Sequence, residues 1–237
     1  MISLKDFSVL TFDCYGTMID WESGIFSALR PILKAHRTEL KDAALLELYA
    51  ELELAAEQQD FLNYRDVLQS VVRGFGRRLG FTPTEDEVRS LPESIKDWQP
   101  FPDTAAALRQ LKSRYKLVVI SNIDDDLFAL TAPKLGVAFD GVVTAQQAGC
   151  YKPCHKIFRM TQEHLGINPQ QWLHVGQSIY HDVIPAKALG IATVWVNRPS
   201  PRAGAGATKA ASATPDVEVS SLAALADLSS ATPQSRV

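Results

Sequence analysis

The chain has 237 residues, 46% of them hydrophobic, and 24 Lys and Arg against 27 Asp and Glu give a formal net charge of −3. This is enough apolar material for one large core, or a core plus an insert. The basic residues form no run, which argues against a nucleic-acid partner, and no apolar stretch reaches the roughly 18 to 20 residues of a membrane span.

The first element is Ser8-Val-Leu-Thr-Phe12, a short β-prone run ending at Asp13 and a Gly-Thr turn. From about Ser23 to Pro100 the pattern is helical: Ile25, Leu29, Ile32 and Leu33 share one face, as do Val67, Leu68, Val71 and Val72. Gly80 and Pro83 interrupt it, and Trp98-Gln-Pro-Phe-Pro102 closes it. Strands and helices then alternate. Asp103 or Thr104 caps a helix through Lys112, and Lys116-Leu-Val-Val-Ile120 is a strand apolar on both faces. A helix over about Asp126 to Leu135 follows, then a strand at Gly141-Val-Val-Thr144 and a helix from His155 to Leu165. Next come a strand at Trp172-Leu-His-Val175, a helix from Asp182 to Leu189 and a strand at Ala192-Thr-Val-Trp-Val196. Pro199 to Pro215 reads as a flexible loop, either mobile near the site or, the favoured reading, inert, Val217-Glu-Val219 and Leu222 to Leu228 as a last strand and helix, and the tail from Ser229 as disordered. The expected fold is α/β: a Rossmann-like parallel-sheet core, residues 1–17 and 100–237, with a helical cap domain, residues 18–99, inserted after the first strand.

Three cysteines, Cys14, Cys150 and Cys154, are too few for a disulfide framework, so free thiols in a cytoplasmic protein are expected. The opening residues show no secretory signal. Cys150 and Cys154, beside His155, lack the second ligand pair of a zinc site.

Ligands of open α/β sheets bind beyond the carboxyl ends of the strands, and four such places carry polar residues. Asp13 is a potential carboxylate nucleophile, and Gly16 lets the chain turn tightly behind it. Ser121 and Asn122 offer a hydroxyl and an amide, though both residue types also favour plain turns. Asp124, Asp125 and Asp126 read as a solvated helix start. Lys152 is either a surface lysine or the cation that keeps Asp13 ionised. In Gly176-Gln-Ser-Ile-Tyr-His-Asp182, His181 and Asp182 could position water or move protons; alternatively Asp182 caps a helix.

In order and strand context, Asp13-x-x-Gly-Thr17, Ser121-Asn122, Lys152-Pro153 and Gly176-x-Ser-x-x-x-Asp182 resemble the four motifs of the haloacid dehalogenase superfamily. The resemblance covers about residues 7–228. Phe12-Asp-Cys-Tyr-Gly-Thr-Met-Ile-Asp-Trp-Glu22 is most similar to the type II 2-haloacid dehalogenases. It implies Asp13, Thr17, Lys152 and Asp182 as catalytic residues, and Tyr15, Ser121, Asn122, Gln177, Ser178 and His181 against the substrate. It implies a small carboxylic acid as substrate, dimerisation through the cap, and neither metal nor cofactor. Family phosphatases carry a second Asp two residues after the nucleophile and another after the last-motif glycine, where it holds Mg²⁺; those positions are Tyr15 and Gln177 here. A departing halide needs no proton, so a site without that acid suits carbon–halogen cleavage.

The chain also departs from the type II pattern. The cap arginine that receives the halide aligns near Ala50, within Tyr49-Ala-Glu-Leu-Glu53, where there is none; Arg65 and Arg37 are the substitutes considered. A family tyrosine is Phe158. The alternatives are therefore fluorinated acids, an azetidine-2-carboxylate hydrolase-like ring opening with His181 or Tyr15 as acid, a Mg²⁺-dependent phosphatase or phosphonatase, and a non-catalytic small-ligand-binding protein. Among the aromatic residues, Trp21 and Tyr64 are singled out as ligand contacts, and Trp98, Trp172 and Trp195 as packing.

Overall fold

The computed structural model describes residues 2–199 and 206–230. Six strands, β1 (Val9–Phe12), β2 (Lys116–Ser121), β3 (Gly141–Thr144), β4 (Trp172–Gly176), β5 (Ala192–Val196) and β6 (Val217–Val219), form one sheet in the order β3-β2-β1-β4-β5-β6. Every pairing is parallel. Parallel strands need crossover helices, which cover both faces and make the central strands apolar throughout. Phe12 pairs with Val119 on one side and Val175 on the other, so Asp13 leaves the carboxyl end of the central strand.

Between β1 and the return of the chain at Pro100 lie four helices: α1 (Trp21–Ala35), α2 (Asp42–Glu57), α3 (Tyr64–Leu79) and α4 (Glu85–Ser94). Asp20 caps α1 by accepting from the Ser23 amide, and Thr84 and Glu87 form a capping box on α4. The chain leaves the sheet and returns side by side, through an isolated bridge between Ile19 and Pro100. The remaining helices are α5 (Thr104–Lys112), α6 (Asp125–Thr131), α7 (Ala145–Ala148), α8 (His155–Leu165), α9 (Ile184–Ala188) and α10 (Leu222–Ser230). Among the described residues, no helix is long and apolar enough to cross a membrane. The three cysteines carry free thiols.

Several local expectations need correction. Asp124 is not a solvated helix start: it is buried, and its two carboxylate oxygens accept from the backbone amides of Tyr64 (2.8 Å) and Arg65 (2.9 Å). A residue after β2 thus caps α3, whose own N-cap residue, Asn63, makes no side-chain capping bond. This long-range cap ties the inserted helices to the sheet. Asp124→Ala is expected to lower stability by about 1–2 kcal/mol, read by urea unfolding; an unchanged midpoint would contradict the capping role.

Asp103 makes no capping bond to α5; it pairs with Arg198 (3.0 Å) and accepts from the Ala223 amide. The helix expected over Asp182 to Leu189 is shorter, because a five-residue π-turn, Ile179–Val183, precedes α9. The last helix runs on to Ser230, with Ser229 buried, so order extends beyond the expected end; residues 231–237 lie outside the described residues. The expectation for the 199–215 loop falls partly on residues 200–205, which are also outside them. The described part is not inert: Ala207 is buried and donates to Glu22 (3.2 Å), and Thr208 contacts the Gln177 side chain (3.4 Å).

Candidate active site

Asp13 and Thr17, Lys152, and Asp182 come from three separate stretches of chain and meet beyond the ends of β1, β2 and β4. The turn after Asp13 is made by Gly16 at φ +90°, where a Cβ would press on Trp21 Nε1 and Gln177 Oε1. Lys152 is 1% exposed, so the surface alternative for it falls. Its ammonium donates to Asp13 Oδ1 (2.8 Å), Asp182 Oδ1 (2.7 Å) and the Ile120 carbonyl (3.1 Å), which engages all three of its protons. The Thr17 hydroxyl donates to Asp13 Oδ2 (2.7 Å) and accepts from the Gln177 amide (2.9 Å), joining the first and last motifs.

Asp182 is not a helix cap. It folds back over Gly176, where any Cβ would collide with its carboxyl group, and Oδ2 accepts from the Ser178 amide (3.1 Å). Behind it stands His174, which the sequence reading passed over as a strand residue. The Trp172 indole can only donate, and gives its proton to Thr11 Oγ1 (2.6 Å). Thr11 therefore donates to His174 Nδ1 (2.8 Å), and the imidazole carries its proton on Nε2, facing Asp182 Oδ1 (3.2 Å). Thr11 pairs with His174 across the sheet, and His174 with Thr193, which sets a polar row under the site.

Burial raises the Asp13 carboxyl above its ordinary value, while Lys152 and Thr17 pull it back. Asp182 is likewise buried, yet Lys152 and the His174 bond outweigh burial and hold it well below the usual carboxylate range. Burial opposes the Lys152 charge, and the two aspartates overcome that and hold it firmly protonated. The floor of the site is a fixed arrangement of two carboxylates about one ammonium.

Above this floor is a small cavity, about 40 Å³, with both Asp13 and residues of the inserted helices in its lining. Tyr15, Asn122, Gln177, Ser178 and His181 line it, as do Trp21 and Tyr64. Ser121 does not: it is fully buried, and its hydroxyl finds no partner among the described residues. Asn122 reaches the cavity, but its amide is committed to Lys152, donating to that residue's carbonyl (3.2 Å) and accepting from its N–H (2.7 Å). Tyr15 is tethered to Thr131 (2.9 Å), and burial raises its phenol well above the ordinary value, so it is a poor acid. Phe158 lies in the core on the far face of the sheet, edge-on to His174. Trp98 and Trp172 are buried packing residues, and the Trp195 indole donates to the Gln177 carbonyl (2.8 Å).

Residues 7–190 match the sequence profile of haloacid dehalogenase-like hydrolases. The chain belongs to that family. Among curated relatives of this hydrolase is the (S)-2-haloacid dehalogenase of Pseudomonas sp. (strain YL), 24% identical over 225 residues, covering 92% of this chain and 93% of that one. Another is the (S)-2-haloacid dehalogenase 4A of Burkholderia cepacia, 27% identical over 193 residues, with 79% and 81% covered. The L-2-haloacid dehalogenase of Xanthobacter autotrophicus, solved with chloropropionic acid covalently bound, shares the fold of this hydrolase: TM-score 0.77, 20% identity, 94% of this chain and 98% of that one.

The roof of the cavity carries glutamates that the sequence reading passed over. The substitutes considered for the absent arginine do not serve: Arg65 pairs with Asp126 on the surface (2.6 Å), and Arg37 lines a separate depression beside Arg30 and Lys34. In their place α2 presents Glu53 and Glu57. Burial pushes the Glu53 carboxyl up to about 7, against hydrogen bonds to Oε1 from Tyr64 (2.5 Å) and Tyr49 (2.9 Å). Burial lowers His181 to about 4, so its imidazole is neutral at pH 7. Ser178 Oγ accepts from the His181 amide (3.0 Å) and meets Nδ1 (3.2 Å). In the tautomer in which the Ser178 hydroxyl donates to Nδ1, Nε2–H is a buried donor without a partner among the described residues.

Proposed function

We propose that this protein is a metal-independent hydrolase that displaces a leaving group, a halide in the first instance, from C2 of a small carboxylic acid, with Asp13 as covalent nucleophile. The observation that carries the reading is the position of Asp13: paired with the Lys152 ammonium, oriented by Thr17, and open to a cavity that lacks the second aspartate of a phosphatase.

The Asp13 carboxylate attacks C2 from the side opposite the halide, forming a C–O bond as the halide departs with the bonding electron pair. In-line positioning supplies much of the barrier reduction. Water then adds to the Asp13 carboxyl carbon. With attack through Oδ2, the oxygen oriented by Thr17, Oδ1 becomes the acyl oxygen, and the negative charge that builds there is stabilised by the Lys152 ammonium. The ester bond breaks, the 2-hydroxy acid leaves with one proton released, and Asp13 is regenerated. His181 Nε2–H is the donor available to the substrate carboxylate, with Gln177 and Ser178 beside it. His174 acts at one remove, by holding Asp182 and through it Lys152.

The donor set does not fit Mg²⁺. Each oxygen of Asp13 and Asp182 already faces a donor, namely Lys152, Thr17, His174 or the Ser178 amide, and Gln177 stands where phosphatases place a carboxylate. Mg²⁺ needs open oxygen ligands in near-octahedral array, and Lys152 occupies the centre of this one. The site is therefore read as working without a metal or other cofactor, which disfavours the phosphatase alternative. Turnover of 2-chloro-, 2-bromo- or 2-fluoro-acids in EDTA, followed by halide release, is the direct test; activity that appears only with added Mg²⁺ would overturn it.

A further inference from the structure

The charges around the cavity bear on what enters it. Its lining holds four carboxylates, Asp13, Asp182, Glu53 and Glu57, but a single lysine and no arginine among the described residues. The lysine cannot serve a ligand, since its three protons are spent on the floor. The floor alone is one charge negative.

Glu53 is 8% exposed, on α2. Both phenols, Tyr49 and Tyr64, donate to the same oxygen, Oε1. The second oxygen, Oε2, meets no donor among the described residues, and it is not enclosed, so it is free to accept from what the cavity binds. Glu57 lies one turn along the same helix, and the Trp21 ring, edge-on to Tyr49, stands beside it in the lining. Carboxylates with aromatic walls recognise cations. Burial raises both glutamates, Glu53 to about 7 and Glu57, which also feels Glu53, well above the ordinary carboxylate value, and a bound cation would favour their ionised forms, which a simple haloacid cannot do.

On the reading that Asp13 attacks a small carboxylic acid, we propose that the true substrate also carries an ammonium group, seated against Glu53 Oε2 with Glu57 and Trp21 around it. The substrate class is then a zwitterion, an amino-substituted acid bearing the leaving group, with its carboxylate toward His181 and its ammonium toward the roof.

Because the leaving group occupies C2, the ammonium sits on C3 or beyond. Binding of two three-carbon acids that differ only by such an ammonium, 3-aminopropionate and propionate, tests this by calorimetry on the intact wild-type chain. Neither has a leaving group, so the result is independent of whether Asp13 forms an ester. 3-Aminopropionate is expected to bind at least 10-fold more tightly than propionate at pH 7.5. Glu53→Gln retains an oxygen for the two phenols, and is expected to erase that preference by weakening 3-aminopropionate while propionate binds as before or better. Propionate binding as tightly as 3-aminopropionate to wild type, or a Glu53→Gln protein with the preference intact, would overturn the proposal. Because the wild-type comparison needs no variant, it stands even if Glu53→Gln does not fold. A 3-aminopropionate preference without labelling of Asp13 during turnover would uphold the charge assignment and sink the covalent mechanism; labelling without the preference would do the reverse.

Discussion

Lys152→Met is expected to lose both fold stability and activity. The substitution removes the one cation between two buried carboxylates and replaces it with an apolar chain of similar length. Breaking a buried ion pair by deleting one partner costs on the order of 3–5 kcal/mol, because the remaining charge is stranded. Here two charges are stranded. The sign with pH follows. In the variant, Asp13 and Asp182 have folded-state values raised above their unfolded ones, so the fold binds more protons than the unfolded chain. The deficit is then full at pH 7 and above, and shrinks as pH falls toward the unfolded carboxylate value near 4. In the wild type Asp13 is raised as well, but Asp182 and Lys152 work the other way. The depressed Asp182 contributes stability above the unfolded carboxylate value, lost as pH falls. The raised Lys152 contributes stability below the unfolded lysine value, lost as pH rises through its folded value. Urea unfolding of both proteins at pH 5 and pH 7.5 checks this; a deficit equal at both pH values would contradict it. Turnover of any folded variant is expected to fall at least 10²–10³-fold, since the charge that stabilises the developing oxyanion is gone.

The second large effect is expected from Asp13→Asn. The amide is nearly isosteric: its oxygen can accept from Lys152 and its NH₂ can face Thr17, so the variant keeps the fold. An amide is not a nucleophile, and the loss of turnover is expected to be about 10⁴-fold or more. Halide release by Asp13→Asn at a rate near wild type would remove the covalent step from the account. The variant also changes the charge of the floor, from one negative to neutral, so it is read by rate and not by binding.

The parallel sheet was legible because it is built from short apolar strands between amphipathic helices, each ending in polar residues; Asp13, Lys152 and Asp182 were singled out from that rhythm, whereas the order of the strands across the sheet was not read. Asp124 was misread because an Asp triplet after a strand looks like a solvated cap, and nothing local shows that its partner is the start of α3, some 60 residues earlier. His174 lay inside a strand, where a polar residue at a buried position was the available signal. Glu53 was hidden for a different reason. The α2 sequence Glu-Leu-Tyr-Ala-Glu-Leu-Glu-Leu-Ala-Ala-Glu57 carries glutamates all round, and a glutamate on a helix is ordinarily solvated. Tyr49, Glu53 and Glu57 do fall on one stripe, i, i+4, i+8; only the contact with Tyr64 across to α3 shows that this stripe faces inward.

A single measurement tests the centre of the account. The enzyme is run through many cycles in ¹⁸O-enriched water, and the peptide containing residue 13 is weighed. If Asp13 forms an ester that water opens at the carboxyl carbon, heavy oxygen accumulates in its side chain, while the hydroxyl oxygen of product from one enzyme-excess turnover comes from the protein and is light. Heavy oxygen passing directly into that first product, with an unlabelled Asp13, would contradict it.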